Sequence, residues 1–231
     1  MSKSWDVARR GFERVWREAS ARYPRLTALR AGAARVSASG VRGVDPAKMV
    51  WIFGSGRSGS TWLRGMMGEM SGHVVWEEPM VGRLFGSFYN QAQKANLRRA
   101  DFIMGDPTRE GWIRSIRNFI LDGAQYAHPL LGPNHHLIVK EPNGSTGAPL
   151  VMEALPESRM ILLIRDPRDV AASGLDATKE GSWLHDWADK GRWKKEGLAD
   201  KKPDALIKRR SNRYVAQIGA SKKAYDAHKG P

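Results

Sequence analysis

The stretch MVWIFGSGRSGSTWLRGMMGEM, Met49 to Met70, decides the fold of this chain. It begins with a short apolar run, Met49 to Phe53, which is typical of a buried β-strand. A loop without large side chains follows, from Gly54 to Thr61. Apolar residues then recur at the spacing of an amphipathic helix, namely Leu63, Met66, Met67 and Met70. The stretch therefore predicts a strand–loop–helix unit of an α/β fold.

The loop has the composition of an anion-binding site. Glycines let the backbone approach a ligand closely, and the N-terminus of a helix points free N–H groups at negative charge. Ser60 and Thr61 add hydroxyl donors, and Arg57 adds a fixed positive charge. We therefore predict that the loop holds a phosphate or sulfate group. On the loop alone, a glycine-rich turn needed only for close strand-to-helix packing stays an open alternative.

The loop departs from the nucleoside-triphosphate pattern GxxxxGK[ST] at a single position. Gly54 to Thr61 matches everywhere except at Ser60, which stands where that pattern has lysine. No clear apolar strand ends in an aspartate suited to magnesium. A P-loop kinase or NTPase is therefore the alternative enzyme class.

The composition restricts the chemistry. The 231 residues contain no cysteine, which excludes disulfides, thiolate metal sites and cysteine nucleophiles. The six histidines form no recognised metal-ligand pattern, so no metal is predicted. The net charge of +14 is concentrated at the two ends: residues 1–45 hold 10 Lys and Arg against 4 acids, and residues 190–231 hold 13 against 4. Such ends suit an acidic substrate, an anionic membrane, nucleic acid or simply a solvated surface.

The chain divides into two predicted parts. Residues 1–45 are expected to form a basic amphipathic helix and a flexible linker, and residues 46–231 the main domain. The helix would pack against the domain or lie on a membrane surface, because its amphipathic pattern fits both. It has no apolar core of the kind found in secretory signals. We therefore expect a cytoplasmic protein, with peripheral membrane contact as an alternative.

Charged residues follow the later predicted strands. Glu77 and Glu78 come directly after the strand HVVW, and Lys140 follows the strand at 137–139. The apolar run at 160–164 predicts a buried parallel strand. It leads into RDPRDVAAS, Arg165 to Ser173, where a guanidinium and a hydroxyl could together bind a phosphate. Pairing of Arg165 with Asp166 or Asp169 is the alternative.

Two of these segments resemble the motifs of sulfotransferases that use 3′-phosphoadenosine 5′-phosphosulfate (PAPS). The family's 5′-phosphosulfate loop, [KR]-S-G-[ST]-T-x-L, is matched by RSGSTWL at Arg57 to Leu63. Its 3′-phosphate motif, R-[DN]-x-[RK]-D-V-x-x-S, is matched at every fixed position by Arg165 to Ser173. Both lie in the family's order, and the resemblance covers about residues 48–215. It implies a P-loop-like three-layer α/β/α fold with a central parallel sheet.

The resemblance also implies an activity, transfer of a sulfuryl group from PAPS to an acceptor hydroxyl, as in the EC 2.8.2 class. Its implied catalytic residues are Glu78 as the general base, with Glu77 as the neighbouring candidate, and Arg57 and Lys140 as charge-neutralising groups. Its implied donor-binding residues are Arg57, Ser58, Gly59, Ser60, Thr61, Trp62, Arg165 and Ser173. No metal enters this scheme. A basic binding protein that keeps the fold without turnover remains the alternative outside the enzymes.

The partners follow from the same resemblance. The acceptor would be a small molecule, a carbohydrate or a lipid headgroup, and no nucleic acid is expected because no nucleic-acid-binding motif is found. Residues 205–231 are expected to form the helix that precedes a further strand and a nucleotide-closing loop in the family. Because neither follows, we expect the domain to be incomplete at its C-terminus or closed differently.

Overall fold

The computed structural model describes residues 44–92, 102–177, 182 and 203–230 of the chain. The predicted N-terminal helix and linker at 1–45 lie outside this part, apart from residues 44 and 45. Four strands form one parallel sheet: β1 (Met49–Gly54), β2 (His73–Glu77), β3 (His136–Lys140) and β4 (Arg159–Leu163). Their order across the sheet is β2-β3-β1-β4. All three neighbouring pairs are parallel, as predicted.

Six helices accompany the described strands. They are α1 (Ser60–Gly68), α2 (Val81–Ala92), α3 (Arg109–Ala127), α4 (Ala148–Ala154), α5 (Pro167–Asp176) and α6 (Pro203–Ala227). Each of the four strands is followed along the chain by a helix, which is the connection that parallel strands require. The α/β prediction is confirmed.

The sheet has a packed layer on each face, which makes the fold three-layered. On one face, Trp51 and Phe53 of β1 enter the main hydrophobic core together with Ile116 and Ile120 of α3. On the other face, Ile52 and its neighbours pack against the helix α1. Alternating residues of β1 therefore serve both faces, which explains why this strand is apolar throughout.

Only half of the apolar residues predicted to form one face of the first helix are packed in the core. Leu63 and Met67 pack against the sheet. Met66 and Met70 are 44% and 53% exposed, respectively. The helix is short and ends at Gly68, so its outer flank has no neighbouring layer among the described elements.

The strand β4 corrects another prediction. Its continuous apolar run suggested full burial, but the residues Met160 to Leu163 are only half-buried and Arg159 is exposed. The physical reason is position, because β4 lies at one edge of the four described strands and pairs with β1 alone.

A 3₁₀ segment, Pro142–Gly147, forms a platform against which the helices α2 and α6 pack. Gly82 of α2 lies so close that a Cβ atom on it would come within 2.3 Å of the Gly144 carbonyl oxygen. On the other flank, Gln217 Nε2 of α6 donates to the Pro142 carbonyl oxygen at 2.9 Å. The platform follows β3 directly, so it holds both helices next to the carboxyl edge of the sheet.

Candidate active site

The carboxyl ends of the four strands bring the predicted site residues to one edge. The Arg57 loop follows β1, Glu77 ends β2 and Glu78 follows it, Lys140 ends β3, and Arg165 follows β4. Ligands of open parallel sheets generally bind at this edge. The local motifs therefore converge because the strands are parallel.

The loop after β1 has the backbone of an anion cradle. Gly59, the residue before α1, has a φ of 96°, and Arg57 has a φ of 73°. These left-handed conformations turn the chain sharply into the helix. No side chain caps the N-terminus of α1, so its first N–H groups remain available to a ligand. The Ser58 hydroxyl is used inside the loop, where it donates to the Ser55 carbonyl oxygen at 2.7 Å.

Arg57 connects the two predicted donor motifs. Its Nε donates to the Ser173 hydroxyl at 3.1 Å. Arg165 Nη1 donates in turn to the Arg57 carbonyl oxygen at 3.2 Å. Residues 116 and 108 positions apart in sequence are thereby joined. Burial, and then the charge of Arg165, lowers the pKa of Arg57, as expected where positive charges gather before a ligand is bound.

The helix α5 begins as its sequence predicts. Pro167 occupies its first turn, and the Asp166 carboxylate caps it by accepting from the Arg168 backbone N–H at 2.8 Å. The Arg168 side chain binds the same carboxylate and lowers the pKa of Asp166 to about 2. Arg165 lies 3.7 Å from Asp169. The alternative pairing with Asp169 therefore exists, but as a long contact between half-exposed groups, and such pairs contribute little.

The two adjacent glutamates share one lysine. Lys140 Nζ is 2.7 Å from Glu78 Oε1 and 3.1 Å from Glu77 Oε1. Lys140 is only 5% exposed, so its charge is directed at these carboxylates and not at solvent. Glu77 also pairs with Arg64 Nη2 of α1 at 2.6 Å. The second oxygen of Glu78 instead accepts from the neutral amide of Asn143.

The backbone around Glu78 is unusual. Glu78 and Met80 have φ values of 46° and 64°, respectively, in a region that non-glycine residues rarely adopt. Two hydrogen bonds hold this segment in place: the Glu78 N–H donates to the Lys140 carbonyl oxygen, and the Met80 N–H donates to the fully buried Glu141 carboxylate at 2.9 Å. Such strained backbone is common at functional sites.

Several residues at this edge were not predicted. From α6 come Arg210, whose guanidinium packs on Gly174, and Arg213, whose Nη2 donates to Asn143 Oδ1 at 2.8 Å. From the same helix, the Tyr214 hydroxyl donates to the Arg165 carbonyl oxygen at 2.9 Å. A sequence signal existed: Arg210, Arg213, Tyr214 and Gln217 are spaced to share one face of a helix.

These added arginines make the edge strongly positive. Burial, and then the charges of Arg57, Arg213 and Arg209, lowers the pKa of Arg210. Burial, and then the charges of Arg83 and Arg209, lowers the pKa of Arg213. The arginines thus crowd one another around the loop and Glu78. Such an arrangement is suited to an anionic ligand.

The aromatic residues are divided between core and surface. Trp112 is buried in the core, and Trp76 and Phe85 are half-buried against it. Trp62, at the start of α1, is 68% exposed beside the loop.

The described residues show neither a metal-binding cluster nor a membrane-spanning helix. They contain no group of three or more histidine, aspartate or glutamate side chains placed to hold a metal ion. None of their helices is both long and apolar enough to cross a membrane.

Comparison with known proteins supports the resemblance seen in the motifs. A search of curated proteins found no match. The family model described as "Sulfotransferase family" matches residues 50–197, which include both the loop after β1 and the β4–α5 turn. The chain therefore belongs to the sulfotransferase family.

Proposed function

We propose that this protein transfers a sulfuryl group from PAPS to the hydroxyl group of an acceptor, with Glu78 as the general base. One observation carries the proposal: Lys140 Nζ lies 2.7 Å from Glu78 Oε1 at the same sheet edge as the Arg57 loop. An anion cradle, a cation and a carboxylate are thus grouped in one place. Family membership supports the reaction class.

The residues at the edge fit a donor with two separate anionic ends. The N–H groups of Gly59, Ser60 and Thr61 would hold the 5′-phosphosulfate, with Arg57 beside them and Trp62 flanking the loop. Arg165 and Ser173 would hold the 3′-phosphate, which ordinary nucleotides lack. The hydrogen bond from Arg57 to Ser173 supports this assignment, because it brings the two halves of the site together.

The reaction needs alignment and charge stabilisation. The acceptor oxygen would form a bond to sulfur while the bond from sulfur to the bridging phosphate oxygen breaks, releasing 3′-phosphoadenosine 5′-phosphate. Glu78 would take the proton of the acceptor hydroxyl, a role typically worth about 10² to 10⁴-fold in rate. Arg57 and Lys140 would stabilise the negative charge on the sulfuryl and bridging oxygens.

Glu78 is a better candidate for the base than Glu77. Both oxygens of Glu77 face cations, because Arg64 and Lys140 each approach one of them. Glu78 faces one cation and the neutral amide of Asn143. An incoming hydroxyl can displace a neutral amide at less electrostatic cost than a guanidinium. Glu78 is therefore the carboxylate more easily freed to accept a proton.

Donor binding is tested by thermal unfolding with 3′-phosphoadenosine 5′-phosphate. A ligand at 100 times its Kd should stabilise the protein by about 2.7 kcal/mol, or roughly 5 to 10 °C at this size. The stabilisation is expected to be lost in Arg165→Ala and kept in Arg114→Ala, an exposed arginine of α3. Stabilisation by ADP alone would contradict the proposal and favour the kinase alternative.

Catalysis is tested by comparing Glu78→Gln with Glu77→Gln in an assay of transfer from PAPS. Glu78→Gln keeps the shape of the side chain but removes the proton acceptor, so we expect kcat to fall by about 10² to 10⁴-fold. Glu77→Gln is expected to lower it far less. A larger loss in Glu77→Gln would assign the base to Glu77.

A further inference from the structure

The carboxyl edge of the sheet holds more arginines than the proposed donor site uses. Arg57 and Arg165 lie on the donor side of this edge. Arg210 lies there too, because its guanidinium packs on Gly174 next to Ser173. Arg213, one turn further along α6, points instead to Asn143, the residue that holds Glu78. The helix α6 therefore supplies one arginine to each side of the reaction centre.

A second arginine, Arg83, lies near enough to Arg213 for the two charges to oppose each other. It lies in the first turn of α2, five positions after Glu78, and the contact of Gly82 with Gly144 fixes that turn against the 3₁₀ platform. Asn143 belongs to the same platform. Arg83 and Arg213 thus belong to two helices that both pack on the platform that carries Asn143.

The charges in this cluster are close enough to affect one another. Burial, and then the charges of Arg83 and Arg209, lower the pKa of Arg213, and the charge of Glu78 opposes this decrease. Among the described residues, neither Arg83 nor Arg213 forms an ion pair with a carboxylate. Arg83 is also exposed, so its guanidinium is accessible from solvent. Repulsion between gathered positive charges destabilises the free protein, and a bound anionic ligand would relieve this repulsion.

We propose that Arg83 and Arg213 form an acceptor-anion site, and that the acceptor carries a carboxylate, sulfate or phosphate group close to the hydroxyl that receives the sulfuryl group. The inference rests on the proposed function, since it assigns Glu78 to the acceptor side. An anionic group held by these arginines would place the neighbouring hydroxyl at Glu78, and neutral acceptors would lack this second attachment.

The test uses matched acceptors that differ in charge. One pair is 4-hydroxyphenylacetate and its amide, and a second is phenyl glucuronide and phenyl glucoside. Thermal unfolding with each compound is measured with and without saturating 3′-phosphoadenosine 5′-phosphate, and kcat/KM for transfer is measured with PAPS. We expect the anionic member of at least one pair to bind and react about tenfold better, the size of one charge-assisted contact. Equal behaviour within both pairs would overturn the inference.

Substitution of the arginines tests whether they cause the preference for anionic acceptors. Arg83→Gln and Arg213→Gln are each expected to reduce the anionic-to-neutral ratio by about tenfold, and Arg83→Lys to restore most of it. Arg114→Gln removes the same charge from an exposed position on α3 and should leave the ratio unchanged. A preference that survives Arg83→Gln and Arg213→Gln would overturn the assignment.

The two proposals can fail separately. If the bisphosphate does not stabilise the protein, the proposed function fails. The acceptor titrations without bisphosphate would still decide whether the arginines select an anion. If the bisphosphate binds but charge in the acceptor makes no difference, only the acceptor-anion site is rejected.

Discussion

Glu141 is a carboxyl group that the fold buries completely. It follows Lys140 at the end of β3 and accepts the Met80 N–H at 2.9 Å. Burial raises its pKa to about 7, and the charge of Glu78 adds to the increase. Glu141 therefore supports the strained segment that carries the proposed base, although its burial favours the protonated form.

This burial predicts a pH-dependent stability. Because the pKa rises from 4.5 in the unfolded chain to about 7 in the folded one, the folded state binds the proton more tightly. The resulting stabilisation is fully present below about pH 4.5 and is lost as the pH rises through 7, a change of about 3 kcal/mol. Urea unfolding of the wild type and of Glu141→Gln across this range measures it.

The variant provides the control for this prediction. Glutamine keeps an oxygen for the Met80 N–H but cannot ionise. The free energy of unfolding of Glu141→Gln, relative to the wild type, should therefore increase from pH 5 to pH 8. A difference between the two proteins that is independent of pH would show that Glu141 keeps an ordinary pKa.

At the scale of elements, the contact between α2 and the 3₁₀ platform is formed by backbone. A Cβ atom on Gly86 would lie 2.4 Å from the Gly147 Cα atom, and one on Gly147 would lie 2.0 Å from the Gly82 carbonyl oxygen. Neither neighbour is the end of a flexible side chain. The helix can therefore keep this position only if these residues remain glycine.

A pair of alanine substitutions tests this contact. Gly86→Ala should lower the free energy of unfolding by about 1 to 3 kcal/mol because the two backbones must separate. Gly219→Ala, in α6, has no atom within 4 Å of the added methyl group. It should raise that free energy by about 0.5 to 1 kcal/mol through helix propensity. Chemical denaturation of both variants gives the comparison, and equal effects would contradict it.

The elements show why some of the site could be predicted from sequence and some could not. The Arg57 loop and the β4–α5 turn are local, since each is a strand end, a glycine or proline, and a helix start within about ten residues. The two segments lie close together because the carboxyl ends of parallel strands share one edge of the sheet. Asn143 has no local signature, and the helical spacing that puts Arg213 on one face of α6 does not indicate what that face contacts. The roles of both residues depend on where α6 crosses the platform. The partial exposure of β4 also depends on sheet order, which its apolar sequence does not encode.

At the scale of the whole molecule, the fold concentrates positive charge at one edge. Residues 46–189 are nearly neutral, with 15 Lys and Arg against 16 acids. Arginines from the β1 loop, the β4–α5 turn and α6 nevertheless meet at the carboxyl ends of the strands. Arg210 illustrates the cost, because its Nε is buried without a hydrogen-bond partner among the described residues and its charge is opposed by three neighbouring arginines. The free protein is therefore less stable than its core alone would allow.

Arg210→Met should have opposite effects on the stability of the ligand-free protein and on the binding of 3′-phosphoadenosine 5′-phosphate. Methionine fills a similar space without the desolvated charge, so we expect the free energy of unfolding of the ligand-free protein to increase by about 1 kcal/mol. Stabilisation by 3′-phosphoadenosine 5′-phosphate should decrease in the same variant. A ligand-free variant less stable than the wild type would show that the Arg210 guanidinium contributes net packing energy on Gly174.

The glycine contact between α2 and the platform also bears on how new acceptor preferences could evolve. An interface made of backbone has no side chains to exchange, so almost no substitution at these glycines would be neutral. Arg83 and its exposed neighbours on α2, by contrast, project from that fixed frame and can be replaced without moving it. We therefore expect sulfotransferases that share this frame to diverge in acceptor at these outward positions, while the glycines beneath them stay the same.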